Sequence, residues 1–450
     1  MSVTLSAQHS PPVPQPATVQ GWGAGAGARV LLARPGSVEA AAQALRTTRT
    51  RGAIARGMGR SYGDAAQLSG GLVLDTTALT RVQLDPDTGT VTAEAGVTIA
   101  ELLRALVPAG WVLPVVPGTQ HVTVGGAIAS DIHGKSHGVD GTFGSHVQAL
   151  GLLTATGELE ELAPQSELFQ ATLGGMGLTG MIVWARIALR PVSSSLLSVD
   201  TDRVRTLDDA LAALAAPGGR YRVGWLDLLG SRHGRGVVTR AEHAAGGPSD
   251  GATVPARATV PRRWPAGALR TSTVRAFNEL RYRASPRRAR GRSEQLGPHM
   301  FPLDALDAWP RLYGPRGFVQ YQLVVPPARV DVLEQTIERL RRARVPCYLA
   351  VLKDFGPANA APLSFPIEGW TLALDLPRGA PNLGSALDAL DGLVAGAGGR
   401  VYLTKDSRMR PEALAAMYPR LEQWRAVRDR ADPDGLWRSD LALRTGLVSR

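Results

Sequence analysis

A chain of 450 residues is longer than one hydrophobic core ordinarily serves, so two domains are expected, and a hydrophobic fraction of 44% fits a globular protein. The single cysteine, Cys347, excludes an internal disulfide and gives no support to a cysteine-based metal site, and no apolar run is long enough to cross a bilayer. The net charge of +11 points to an acidic partner: a phosphate, a nucleic acid or an anionic membrane.

In chain order, residues 1–20 are rich in Pro, Gln and Ser and lack a basic-then-apolar signal pattern, so they read as a disordered tail. Val30-Leu-Leu is a short strand, and Ser37 with Glu39 close behind suits a helix start. A buried strand, Gly52-Ala-Ile-Ala55, runs into Arg56-Gly-Met-Gly-Arg-Ser-Tyr-Gly-Asp64. The G-x-G-x-x-x-G spacing from Gly57 is one residue longer than the dinucleotide fingerprint, and Leu72-Val-Leu-Asp75 reads as a strand where that fingerprint requires a helix. A phosphate-cradling turn is the better reading. A strand at 91–95 and a helix from Thr98 to Leu106 lead to a second glycine run, Thr123-Val-Gly-Gly-Ala-Ile-Ala-Ser-Asp-Ile-His-Gly-Lys135. Glycines are poor helix and strand material but let a main chain approach a ligand closely, and the interleaved Val124, Ala127, Ile128 and Ala129 imply burial. A buried irregular segment needs partners for its backbone groups, which a large cofactor supplies.

Strands at 148–154 and 158–162 form a hairpin about Gly157, followed by a short helix at 166–173 and a strand at 181–189. Pro191 and a serine run mark a boundary. Beyond it come a helix at 208–215, a strand at 223–227 and the Arg-rich stretch 240–297, which is long enough to be mobile. Strands at 318–325, 347–353 and 370–376 alternate with helices at 329–344 and 383–395, which argues an α+β substrate domain with an antiparallel sheet. Only three of the 50 basic residues are lysine, Lys135, Lys353 and Lys405. Lysine is a compact charge whose pKa shifts readily on burial, so each of the three draws attention.

The motifs at 52–64 and 122–135, with Gly177-Leu-Thr-Gly180, Gly317-Phe-Val-Gln-Tyr-Gln322, Ala361-Pro-Leu-Ser-Phe-Pro366 and Lys405-Asp-Ser-Arg408, resemble flavoproteins of the vanillyl-alcohol-oxidase type. They are more closely similar to the decaprenylphosphoryl-β-D-ribose 2′-oxidases. The resemblance implies an α+β flavoprotein: an FAD-binding domain of two α/β subdomains over 21–195, a substrate domain over 196–398, and a return to the FAD domain over 399–450. It implies that Arg56, Gly57, Met58, Gly59, Arg60, Ser61, Tyr62 and Gly63, with Thr123, Val124, Gly125 and Gly126, hold the pyrophosphate. Pro117, Gly118, Thr119, Ala129, His133, Gly134, Ile182 and Tyr402 would approach the rest of the cofactor. Arg60 stands where covalent relatives carry histidine, so the FAD is expected to be noncovalent. Ala373 stands where mycobacterial members have a cysteine.

The implied reaction takes the 2′-hydroxyl of a polyprenyl-phosphoryl-β-D-ribose to the 2′-keto sugar. This is the first half of an epimerisation toward the arabinose donor of cell-wall arabinan, completed by an NADH-dependent short-chain reductase. Lys405 is the leading catalytic candidate, as alkoxide stabiliser, as a charge near flavin N1 or as base, with His133 second. Its closeness to Tyr402 requires a bend after 401–403, because alternation would part the two side chains. Gln320 and Gln322 share a strand face and suit sugar hydroxyls. Tyr62, Lys135, Lys353 and Trp225 complete the substrate candidates, although a tryptophan on a strand also fits a core. His133 and His137 are four apart, but Gly134 and Gly138 argue against one helix face and hence against a metal. The arginines from 281 to 292 suit an anionic membrane better than nucleic acid, for which aromatic interleaving is missing. The expected location is cytoplasmic or peripheral to the inner membrane. An aldonolactone or alditol oxidase acting on a soluble sugar is the alternative.

Overall fold

The computed structural model describes residues 13–448 apart from 49, 231–233 and 265–268. Ser37 accepts a hydrogen bond from the Ala40 amide and caps helix Val38–Thr47, whose Ala41, Ala42 and Ala44 pack with Leu72 and Leu74 of a four-stranded sheet. In that sheet Ala28–Ala33 and Ala53–Arg56 flank Leu72–Asp75 in parallel, and Gln15–Val19 adds an antiparallel edge. The edge strand lies inside the expected tail. Its five-residue ladder gives the backbone its partners, whereas residues 1–12 of that tail lie outside the described residues. No helix separates Ala53–Arg56 from Leu72–Asp75, as the rejected dinucleotide fold would require.

A second sheet, antiparallel throughout, runs Val82–Asp85, Thr90–Glu94, Met181–Ala188, Val147–Leu153, Leu159–Leu162. Thr98 and Glu101 exchange hydrogen bonds in a capping box that starts helix Ile99–Leu106. The glycine run, expected to be irregular, instead forms the short helix Val124–Ala129. Thr123 caps it, and Val124, Ala127 and Ile128 turn into the core. That buried face outweighs two glycines, each costing about 1 kcal/mol in a helix.

The third sheet has eight antiparallel strands in the order Arg288–Gln295, Leu196–Val204, Gly236–His243, Tyr221–Leu226, Leu349–Phe355, Gly369–Pro377, Phe318–Val325, Arg400–Val401. Residues 240–297, expected to be mobile, carry part of strand Gly236–His243, helix Thr271–Ala284 and strand Arg288–Gln295. Acids remote in sequence hold several of the arginines: Arg290 lies 2.6 Å from Asp202, which is also 4.0 Å from Arg288, while Arg283 pairs with Glu279 within the helix. Composition alone does not reveal such pairs.

The carboxyl-terminal segment returns to the first sheet, where the Ala53 amide donates to Leu436 O at 2.8 Å and the Arg438 amide to Ala53 O at 3.0 Å. Asp432, fully buried, accepts from the Leu436 and Trp437 amides and pairs with buried Arg428 at 2.8 Å. A buried charge without its partner is costly, so the pair binds the end of the chain to its beginning.

Candidate active site

A cleft opens between the first two sheets. Its floor is the turn after strand Ala53–Arg56. Among the described residues, no hydrogen bond is donated to the protein by the amides of Gly57, Met58, Gly59, Arg60 and Ser61. Five successive free amides form an anion-binding concavity. The walls leave no room for larger residues: a Cβ on Gly57 would collide with Thr123 Oγ1, and one on Gly125 would stand 2.9 Å from Ala95 Cβ. Arg56 closes the turn by donating to Gln20 O and Ala66 O. Arg60 stacks on Trp22, 3.8 Å from the ring centroid, with its buried Nε unpartnered.

Beyond the cleft, one face of the eight-stranded sheet carries the polar groups. The register places Trp225, Val351, Ala373 and Gln322 in one row, Gln320 opposite Asp375, and Lys353 opposite Thr371. Gln322 donates to His133 Nε2 at 2.9 Å and to Thr371 Oγ1 at 3.1 Å. With Nε2 accepting, the His133 proton sits on Nδ1, which is buried and unpartnered. Phe355, Phe365 and Tyr402 surround the ring, with centroids 4.8, 5.4 and 5.0 Å away. Burial first, then nearby Lys353, holds His133 well below the usual imidazole range. His137, by contrast, accepts from the Gly356 amide at 3.1 Å.

The strand Arg400–Val401 ends just before Tyr402, and a turn follows in which the Lys405 amide donates to Tyr402 O at 2.9 Å. That bend brings Lys405 Nζ onto Gln320 Oε1 and to 4.1 Å from the centre of the Tyr62 ring. Gln320 Nε2 in turn donates to Asp375, whose Oδ2 is buried without a partner. Burial depresses the Lys405 pKa, with Asp375 opposing and Lys353 adding to the fall, and burial raises Asp375. Burial, then repulsion from Lys353, pushes Lys135 down to about 7, and burial takes Lys353 to about 8. All three lysines of the chain are half-buried, and the charge of Lys353 is felt by the other two.

Comparison with known proteins bears directly on this arrangement. A family model described as an FAD binding domain matches residues 30–163, and one for D-arabinono-1,4-lactone oxidase matches 381–445. The decaprenylphosphoryl-β-D-ribose oxidase of Mycolicibacterium smegmatis is 41% identical over 416 residues, covering 88% of this chain and 90% of the relative. The chain belongs to the decaprenylphosphoryl-β-D-ribose oxidase family. An uncharacterized Streptomyces coelicolor protein is 39% identical over 78% of this chain and 100% of its own length. The alditol oxidase of Streptomyces sp. is 29% identical over only 31% of this chain and 34% of the relative. As a member of the family the chain is an FAD-dependent oxidoreductase acting on CH–OH groups, built as a two-domain α+β flavoprotein. The free amides at 57–61 and the glycine walls fit the pyrophosphate of FAD.

Of the residues expected to hold that cofactor, Arg56 to Ser61, Thr123, Gly125, Gly126, Ala129 and Ile182 line the cleft. Val124 does not. As the first residue of helix Val124–Ala129 it is fully buried in the core. Tyr62, His133 and Tyr402 stand between cleft and sheet face, while Gly63 packs against Asp406 O and Gly134 near Val116 O. Pro117 and Gly118 are outside the cleft lining, and Thr119 donates to Asp304 at 3.1 Å. Trp225 is nearly buried under the guanidinium of Arg281, 4.9 Å from the ring centroid. Sequence reasoning missed Met176, Gly177, Gly180, Ser130 and Thr404 in the cleft, and Asp375 beside Gln320. The glycine turn at 174–180 and an aspartate inside an apolar strand were their available signals. Among the described residues no cluster of three or more ligating side chains suits a metal, and no helix is long and apolar enough to cross a membrane.

Proposed function

We propose that this protein oxidises the 2′-hydroxyl of a polyprenyl-phosphoryl-β-D-ribose to the 2′-ketone, with noncovalent FAD as hydride acceptor. The relative named above carries that sugar in its name. The observation that carries the reading is the convergence of the only three lysines of the chain on one partly desolvated region, where the charge of Lys353 acts on the other two. Clustered, partly desolvated positive charge is costly until an anion joins it, and a phosphodiester is such an anion. An uncharged alditol or lactone, the second reading raised by the match at 381–445, brings no anion to that cluster.

FAD, when bound, accepts the hydride; the chain's residues position the sugar and manage its proton. Lys405 stabilises the negative charge that develops on the sugar oxygen as its proton passes to neutral His133. Gln320, oriented by Asp375, fixes the Lys405 ammonium, and Tyr62 offers its ring face to the same charge. Gln322 and neutral His133 bind hydroxyls, Trp225 packs on the apolar part of the substrate, and Lys135 and Lys353 hold the phosphoryl group. The arabinose epimer requires re-reduction of the ketone by a separate NADH-dependent reductase, because this chain removes hydride at that carbon.

The test is direct. Purified protein should be yellow and release its flavin to the supernatant on acid precipitation, since Arg60 forms no histidyl bond. Anaerobic prenyl-phosphoryl ribose should bleach the flavin, and free alditols should leave it oxidised. Bleaching by alditols alone would overturn the substrate reading.

The lysines also set a pH dependence. Lys135 and Lys353 bind phosphate only as ammonium, and both lose the proton as pH rises through about 7 and about 8. The expected kcat/KM is therefore greatest below these values and falls above them, with KM carrying the loss from Lys135 and Lys353 and kcat the loss from Lys405, which burial also lowers to about 7. Lys353→Gln should raise KM about tenfold and remove the upper step. A flat KM across this range would contradict the assignment.

A further inference from the structure

Helix Thr271–Ala284 has an unusual outer face. Its inner side is anchored: Val274 is buried, Asn278 donates to Asp227 at 2.8 Å, and Glu279 pairs with Arg235. The opposite side carries Phe277 and Leu280, 59% and 69% exposed, which stand three apart and so project together. Two large apolar side chains so exposed on one helix cost solvation in water unless something covers them. Arginines rim this face. Arg281, four residues after Phe277, has no carboxylate partner among the described residues, and Arg283, three after Leu280, is bridged to Glu279 with 76% of its side chain exposed.

The helix also walls the site. Arg281 lies over Trp225 at one end, and at the other Thr271 Oγ1 is 3.5 Å from Tyr348 Oη. From Tyr348 a line of rings runs through Tyr313 and Phe318 to Tyr62, beside Lys405. With 14 residues the helix is about 21 Å long, enough to lie along a surface and too short to cross one.

We propose that the outer face of helix Thr271–Ala284 docks this protein on an anionic lipid surface, Phe277 and Leu280 entering below the headgroups and the rimming arginines meeting lipid phosphates. Apolar side chains framed by arginine are the composition of an interfacial helix, and the charge complements acidic lipid. The proposal deepens the polyprenyl-phosphate reading and rests on it for its purpose: a lipid-borne substrate reaches the lysines from the side that touches the bilayer.

The experiment uses the flavin-loaded full chain and substrate-free vesicles, so docking is scored apart from turnover. The wild type should co-sediment with phosphatidylglycerol vesicles, weakly with phosphatidylcholine, and less as salt rises. Phe277→Ser with Leu280→Ser should lower partitioning about tenfold while flavin content and turnover of a short-chain, water-soluble prenyl-phosphoryl ribose stay unchanged. Cys347 is buried, so Phe277→Cys can carry a polarity-sensitive fluorophore, whose emission should shift to the blue on phosphatidylglycerol vesicles. Unchanged partitioning of the double variant, or no blue shift, overturns the docking. So does a wild-type dimer that the double variant converts to monomer, which would assign the face to a second copy. Normal partitioning with no turnover of the soluble substrate strikes the substrate reading instead.

Discussion

Lys405→Ala should abolish flavin reduction by substrate, with a loss on the order of 10²- to 10³-fold, while the protein keeps its FAD and its fold. The side chain touches Gln320 and the Tyr62 ring and does not line the cofactor cleft, so its removal leaves the glycine walls intact. Lys405→Arg should fail nearly as badly. The planar fork is bulkier than an ammonium and does not fit between Gln320 and the Tyr62 ring. Stopped-flow reduction measured beside flavin content checks both variants. Normal reduction in the alanine variant would remove Lys405 from the mechanism and leave His133 as the candidate. Asp375→Asn provides a finer readout. It keeps the hydrogen bond to Gln320 and removes the carboxylate that favours the Lys405 ammonium, so the pKa governing reduction should fall.

Gly57→Val should yield colourless protein, with FAD content down about tenfold or more. The added Cβ would meet the side chain of Thr123, which caps helix Val124–Ala129 across the cleft. The backbone of Gly57 is not in the left-handed region, so the cost is purely the lost approach of two walls. Gly384→Ala, where a Cβ meets nothing within 4 Å, is the matched control and should stay yellow. Absorbance of the purified variants, with a urea unfolding curve to confirm folding, decides the matter. Full flavin occupancy in Gly57→Val would mean that the 57–61 turn does not hold the cofactor.

Much of this molecule is written in local pattern. Ser37 and Thr98 mark helix starts because a hydroxyl can cap only nearby amides. Gln320 and Gln322 share a face because strand geometry has period two. The spacing from Gly57 and the strand at Leu72–Asp75 suffice to reject the dinucleotide fold, and the scarcity of lysine singles out the three that come to lie half-buried within one another's field.

What local pattern does not hold is the outcome of competition between distant groups. The glycines at 125 and 126 become helical because Val124, Ala127 and Ile128 find a core. Arg283, Arg288 and Arg290 are held by Asp200, Asp202 and Glu279, two of which lie some ninety residues away from Arg288 and Arg290 in the chain. Asp375 acquires its place beside Lys405 only through the pairing of Gly369–Pro377 with Phe318–Val325. Composition, period and turn chemistry are properties of neighbours in sequence, so the chain itself determined the elements, the cofactor turn and the candidate lysines. Burial, register and charge pairing are properties of neighbours in space. Tertiary structure alone therefore decided which lysine meets which carboxylate, and that Phe277 and Leu280 face outward.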